Sequence, residues 1–294
     1  MESFENILRR EFPGIAEKDI LEYVKSADNY ENIERFQPST NIPQGKLQEV
    51  NFQSEITYPG KNYKLNIYTP YCGSVANSKI LFILDGSTFL NKELSLFSFP
   101  IKPILDRLIF NKKVPPLLCV FIDPASIGPG YPYYGGTDNR SFEYDTASID
   151  YANFLTNEVI IELKNRFSIS DSPDDRAIMG ASSGGVAAFG VAWHRPDQFR
   201  KVISSIGSYV NIRGGDAYID LVRKTEKKPL KIYLQDGIND LNTIFGDWRL
   251  ANEQLASSLA YRDYNFIFTQ GNGGHNYVHL SEVIEPALIW IWSN

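Results

Sequence analysis

Ser182 stands in the run Gly180-Ala181-Ser182-Ser183-Gly184-Gly185, with a glycine two residues away on either side. That is the G-x-S-x-G spacing of a nucleophile elbow, in which the serine crowns a sharp turn from a strand into a helix. Bulky neighbours would clash in such a turn, so glycines flank the serine. Ser183 lacks the spacing, because Ala181 lies two residues before it. Its backbone N–H, next after the nucleophile and at a helix N-terminus, is placed to receive an oxyanion. A phosphate loop is the competing reading of glycines that open a helix. The run lacks both the Gly-Lys-Ser/Thr of a P-loop and the G-x-G-x-x-G of a dinucleotide turn.

A serine hydroxyl needs a general base, and the chain offers three histidines. His194 ends the helix that begins at Ser182, about three turns and roughly 15 Å away, which suits a structural residue. His275 lies in the glycine-rich "TQGNGGHNY", just after the apolar run "NFIFT", and is taken as the base. His279 follows four residues later, a spacing that also fits metal ligands. No Glu follows His275 and no third ligand is evident, so no metal and no organic cofactor are expected. An acid should orient the imidazole and stabilise its charged form. The turn after "KIYLQ" offers Asp236 and Asp240. Asp236 ends the strand and could brace the turn; Asp240 sits farther out, where a loop can curl toward His275, and is preferred. A second oxyanion donor is sought in an earlier turn, "ILFILDGSTF", where Gly86 permits a tight bend and the Ser87 N–H can face the site. Each such donor is worth about 3 kcal/mol in the transition state.

These turns require a scaffold that brings them together. "KILFIL", "PLLCVFI", "RAIM", "KVISSI", "LKIYL" and "NFIFT" are short continuous apolar runs, as expected of strands covered on both faces. Between them "DYANFLTNEVIIELKNRF", "GGVAAFGVAWH", "WRLANEQLASSLAYR" and "SEVIEPALIWIW" have helical patterns. The expectation is an α/β fold with a mostly parallel central sheet and helices on both faces. Ligands then bind beyond the carboxyl ends of the strands, where every turn named above lies. Before this body, "VNFQSEITY" and "YKLNIYTP" alternate around "PGKN", which predicts an antiparallel hairpin at the sheet's N-terminal edge. Residues 1–45 are expected to form a helical N-terminal segment and linker, broken at Pro13-Gly14. Residues 46–294 are expected to form the catalytic domain.

Composition narrows the partners. A chain of 294 residues, 43% hydrophobic and 22% charged, can bury a sizeable core. A net charge of -6 with no basic block argues against nucleic acid. No run approaches the roughly 18 apolar residues of a membrane span, and the first residues are not a secretory leader. Cys72 and Cys119 are too few for a cysteine zinc site. A cytoplasmic protein acting on a small molecule is expected.

The chain resembles the esterase-D/enterochelin-esterase-like branch of the α/β-hydrolases. The resemblance rests on "LFILDG", "NRSFEYDTAS", "MGASSGG", "RPDQFRKVIS", "IGSYVNIRGG", "KTEKKPLKIYLQDGINDLN", "WRLANEQLASSLA" and "GNGGHNYVH", in order across roughly residues 50 to 294. It implies an α/β-hydrolase fold, with Ser182 as nucleophile, His275 as base and backbone donors at Ser87 and Ser183. It also supports Asp240, since family members often place the acid a few residues beyond a Gly after the penultimate strand. The chain departs at its start, where about 45 residues read as helical and the sizeable β-domain of siderophore esterases is not seen.

Residues 123–145, "DPASIGPGYPYYGGTDNRSFEYD", form a long aromatic stretch after "PLLCVFI". Stretches of this kind often wrap a site. Tyr131, Tyr133, Tyr134 and Phe142 are candidates to line a pocket, or to pack the loop onto the body. Arg140 could grip an anionic oxygen, or pair with Glu143 and Asp145. Trp248, in "GDWRLAN", suits a pocket wall or a helix anchor. The expected activity is serine carboxylic-ester hydrolysis through an acyl-enzyme. An acyltransferase with the same triad, a peptidase and a non-catalytic binding protein of this fold are the alternatives.

Overall fold

Runs of apolar residues too short for a helix become the strands of one sheet. The computed structural model describes residues 29–73, 77–125 and 139–293. In chain order the strands are β1 Lys46–Gln53, β2 Asn62–Thr69, β3 Lys79–Leu84, β4 Leu117–Ile122, β5 Arg176–Ala181, β6 Lys201–Ser205, β7 Lys231–Gly237, β8 Asn242–Thr243, β9 Gly246–Asp247 and β10 Asn265–Gly271. Eight of them form a sheet in the order β1-β2-β4-β3-β5-β6-β7-β10, and β8 pairs only with β9. From β4 to β10 the sheet is parallel, while β1 and β2 run antiparallel at one edge. Every residue of β4 and β5 is buried, as the continuous apolar runs require of strands covered on both faces.

The hairpin differs from its sequence pattern. β1 starts at Lys46 and stops at Gln53, short of the expected Tyr58. The cause is Glu158, whose carboxylate accepts the amides of Glu55, Ile56 and Thr57 at 2.8, 3.2 and 2.8 Å and the Ser54 hydroxyl at about the same range. Those amides curl round an anion and cannot join a ladder.

The helices are α1 Gly86–Leu90, α2 Lys102–Phe110, α3 Asn139–Tyr144, α4 Asp150–Phe154, α5 Ile160–Arg166, α6 Ser183–His194, α7 Ala217–Lys224, α8 Trp248–Tyr261 and α9 Val278–Trp292, with a π turn Leu155–Val159 joining α4 to α5. They form two layers. Phe154, Leu163, Phe189 and Leu255 belong to the core on one face of the sheet. Leu105, Leu108, Ile284 and Leu288 belong to the core on the other. The sequence pattern of α2 was available, with Pro103 in the first turn and Ile104, Leu105, Leu108 and Ile109 on one face. The stretch 123–145, expected as irregular, ends in α3.

Residues 1–28 and 126–138 lie outside the described residues, so the expected N-terminal helix and Tyr131, Tyr133 and Tyr134 do too. The segment that follows residue 28 lies on the body. Ile33–Phe36 is one 3-10 turn, Phe36 is buried with its ring centroid 5.7 Å from that of Phe99, and Arg107 Nη1 donates to the Arg35 carbonyl at 3.1 Å. Among the described residues no helix is long and apolar enough to cross a membrane.

Candidate active site

The parallel strands all end at one edge of the sheet, and the residues just past those ends meet. Ser182 caps the turn between β5 and α6 with φ 58° and ψ -124°. A non-glycine residue avoids that region unless its surroundings enforce it. They do so through two backbone bonds: Ser182 N–H donates to the Ser205 carbonyl at 2.9 Å, and Ser208 N–H donates to the Ser182 carbonyl at 3.1 Å. The flanking glycines are a steric necessity. A Cβ on Gly180 would sit 2.3 Å from the Gly184 carbonyl oxygen, and one on Gly184 would sit 2.9 Å from Asp85 Oδ2.

The loops after β7 and β10 are held as a pair. β7 and β10 are parallel neighbours, with Gly237 opposite Gly271. Beyond them Ile238 N–H donates to Gly271 O at 2.9 Å and Asn239 N–H to Gly273 O at 3.1 Å. The approach is so close that a Cβ on Gly237 would lie 2.0 Å from Gly273 O. This clamp brings Asp240 to His275: Oδ1 lies 2.6 Å from Nδ1, and Nε2 lies 2.8 Å from Ser182 Oγ. Asp240 Oδ1 also accepts the Leu241 amide at 2.6 Å. Burial pushes the His275 imidazole down to about 4, Asp236 opposing this and Arg140 adding to it. Burial pushes Asp240 up to about 6. At neutral pH, then, His275 is an unprotonated imidazole whose Nε2 faces a hydroxyl and whose Nδ1–H donates to a carboxylate. Such a series can take a proton from Ser182.

The two expected oxyanion donors differ. Ser183 is the first residue of α6, so its N–H has no acceptor within the helix. Its hydroxyl turns away to Asp145. The Ser87 N–H, expected to face the site, donates to Asp123 Oδ1 at 3.0 Å instead. β3 and β4 are parallel neighbours with Leu84 opposite Ile122, so the residues just past their ends lie side by side.

The expected substrate contacts also separate. Arg140 makes a two-pronged pair with Asp85, Nε to Oδ1 at 2.8 Å and Nη2 to Oδ2 at 2.7 Å, while its charge also attracts the expected partner Asp145. Phe142 is 51% exposed, edge-on to Tyr58 with the Arg213 guanidinium over its ring. Trp248 opens α8, is buried, and stands edge-on to His275 with ring centroids 5.9 Å apart. Its indole N–H donates at 3.1 Å to the hydroxyl oxygen of Ser208, which lies 3.4 Å from Ser182 Oγ. Nothing in the residue spacing marks Ser208; only its position just after β6 could have drawn attention to it. His194 pairs with the Tyr218 hydroxyl at 3.2 Å, and His279 Nδ1 faces the Gln235 amide at 2.8 Å. His275 and His279 therefore face different partners rather than one point.

Comparison with known proteins agrees with this architecture. Iron(III) enterobactin esterase of Escherichia coli strain K12 is 25% identical over 265 residues, spanning 87% of this chain and 60% of its own length. The chain thus spans about three-fifths of that relative. An uncharacterized Bacillus subtilis protein, YbbA, is 22% identical over half of the chain and 58% of its own length. Among solved structures, enterochelin esterase from Shigella flexneri superposes with a TM-score of 0.69 at 24% identity, over 87% of this chain and 60% of that one. A ferulic acid esterase from Anaeromyces mucronatus gives 0.66 at 13% identity, over 89% and 96%. The fold is that of the α/β-hydrolase esterases. The family model described as "Putative esterase" matches residues 56–279, a span that holds all the turns gathered at this sheet edge, and the chain belongs to that family.

Proposed function

We propose that the protein is a serine carboxylic-ester hydrolase in which Ser182 is the nucleophile, His275 the general base and Asp240 the residue that orients the imidazole. The observation that carries this reading is the unbroken series Asp240 Oδ1–His275 Nδ1 at 2.6 Å and His275 Nε2–Ser182 Oγ at 2.8 Å. As Ser182 Oγ attacks the ester carbonyl, its proton passes to His275 Nε2. The tetrahedral oxyanion rests on the Ser183 amide. His275 then gives the proton to the departing alcohol as the C–O bond breaks, leaving Ser182 acylated. Water, activated by the same imidazole, forms the new C–O bond and releases the acid. Asp240 holds the Nδ1 proton throughout. The names of the relatives, iron(III) enterobactin esterase and ferulic acid esterase, supply the first substrates to try.

The test is labelling with a fluorophosphonate probe and turnover of p-nitrophenyl acetate. One adduct, on Ser182, and loss of turnover in Ser182→Ala are expected. Undiminished turnover in the purified variant would refute the assignment. Transfer to an added alcohol in preference to water would make the protein an acyltransferase acting through the same residues.

A further inference from the structure

Asp236 is the sixth of the seven residues of β7 and has no solvent exposure. β7 lies between β6 and β10, and every residue of β7 from Ile232 to Gly237 is buried. Neither Asp236 oxygen has a hydrogen-bond partner, and the adjacent Gly237 amide offsets only a small part of the cost of burial. Asp240 is equally buried, and its two oxygens differ. Oδ1 takes both the His275 ring and the Leu241 amide, whereas Oδ2 takes nothing. The carboxyl groups of Asp236 and Asp240 lie close enough for each to shift the other's titration. The turn between them is closed by Asp240 N–H to Gly237 O at 3.3 Å.

Two ionised carboxylates cannot share such a place. A buried charge without donors costs far more than a protonated acid, and like charges in contact force one proton to stay. A single proton removes the charge and two of the three deficits: it neutralises Asp236, turns one of its oxygens into a donor, and supplies Asp240 Oδ2 with its missing partner. We infer that Asp236 is a neutral carboxylic acid that donates to Asp240 Oδ2, and is thereby a positioning residue that fixes Asp240 Oδ1 on His275. The inference rests on the reading of Asp240 as the triad acid. The proton belongs on Asp236 because Asp240 already receives two donors on Oδ1. Burial and the Asp240 charge both raise Asp236 well above the carboxyl range, and the other titratable groups facing the pair are His275 and Asp247.

Asparagine can donate an N–H where the acid donates its O–H, and leucine of similar shape cannot. Asp236→Asn should therefore keep kcat within about threefold. Asp236→Leu should lower kcat on the order of a hundredfold with KM nearly unchanged, the cost of a displaced catalytic group. Independently of activity, the infrared difference spectrum between the unaltered protein and Asp236→Asn near pH 7.5 should show the carbonyl stretch of one protonated carboxylic acid present only in the former. Absence of that band overturns the inference, even if the leucine variant fails to fold. Full kcat in a folded Asp236→Leu, or an asparagine variant as impaired as the leucine one, overturns it too. The triad reading is judged separately: Asp240→Ala with undiminished turnover would sink that reading, whereas loss in Asp240→Ala beside an intact Asp236→Leu would sink only the positioning role.

Discussion

Asp123 takes both the amide and the hydroxyl of Ser87 through one oxygen, Oδ1, at 3.0 Å each. A carboxylate thus holds the amide expected as the second oxyanion donor, beside the turn that carries it. Removing the carboxylate should free the amide and remove a negative charge from beside the developing oxyanion. Asp123→Ala is expected to raise kcat on p-nitrophenyl acetate, by up to about a hundredfold if the Ser87 amide becomes a full second donor. Asp123→Asn, whose amide oxygen can still accept, should gain less. A kcat in the alanine variant equal to or below that of the unaltered protein would show that Ser87 is not recruited.

How much of this was legible depends on how local the signal is. The elbow is written in five consecutive residues, because Gly180 and Gly184 must be bare for the turn to close. His275 could be found because there were only three histidines to choose from. The Asp123–Ser87 contact spans 36 residues and exists because β3 and β4 are neighbours, an adjacency that the apolar runs do not encode. The early end of β1 has the same origin, since Glu158 lies more than a hundred positions from the amides it gathers. Burial of the Asp236–Asp240 pair likewise follows from the place of β7 inside the sheet. What stayed hidden were long-range polar contacts, which leave no periodicity in the chain.

The imidazole must be unprotonated to act, so kcat/KM should fall as pH drops through the titration of the His275–Asp240 unit. Burial drives His275 down to about 4 and Asp240 up to about 6, and the two titrate as one system. The acid limb should therefore have its midpoint between about 4 and 6, below the free imidazole value of about 6.5. A pH profile of kcat/KM on an ester without ionisable groups measures it. A midpoint at or above the free imidazole value would contradict the burial of the base.

Ser208 Oγ accepts the Trp248 indole proton, which leaves its own hydroxyl proton to point at Ser182 Oγ, 3.4 Å away. A long neutral hydrogen bond of this kind contributes about 1 kcal/mol. Ser208→Ala is therefore expected to lower kcat roughly fivefold with little change in KM. Trp248→Phe, which removes the indole donor together with part of the ring that stands edge-on to His275, should also lower kcat. Steady-state kinetics on both variants would decide; a loss in Ser208→Ala as large as that in Ser182→Ala would mean the roles have been misassigned.

The Arg140–Asp85 pair lies beneath the elbow, with Asp85 Oδ2 filling the space that a Cβ on Gly184 would need. Asp85 is 6% exposed, so removing the guanidinium strands a buried charge. Arg140→Ala should cost about 3–5 kcal/mol of stability. Lysine cannot reproduce two parallel N–H donors, so Arg140→Lys should recover only part of this. Denaturant unfolding near pH 7 provides the measurement, and a loss under about 1 kcal/mol would mean that the pair behaves as a surface contact.

Glu143 offers the clearest link between a single buried acid and pH. Its Oε1 accepts the Tyr63 hydroxyl at 2.9 Å, the Ala125 amide at 3.2 Å and the Asn139 side-chain amide, while Oε2 has no partner. Burial outweighs those donors and pushes the group up to about 7 from 4.5. The folded state therefore binds a proton that the unfolded chain has released. Its stabilising contribution is fully present below the unfolded value and is lost as pH rises through about 7. At about 1.4 kcal/mol per unit, this amounts to roughly 3 kcal/mol between pH 4.5 and 8. Glu143→Gln keeps the acceptor on Oε1 and cannot ionise, so it should remove this part of the slope and be the more stable protein at pH 8. Asp145, raised by burial to about 6, adds a slope of the same sign that both proteins share and that cancels in the comparison. Guanidinium unfolding of the two proteins at pH 5 and pH 8 gives the difference directly. Equal pH slopes would mean that Glu143 stays ionised in the fold, held by its three donors against the cost of burial.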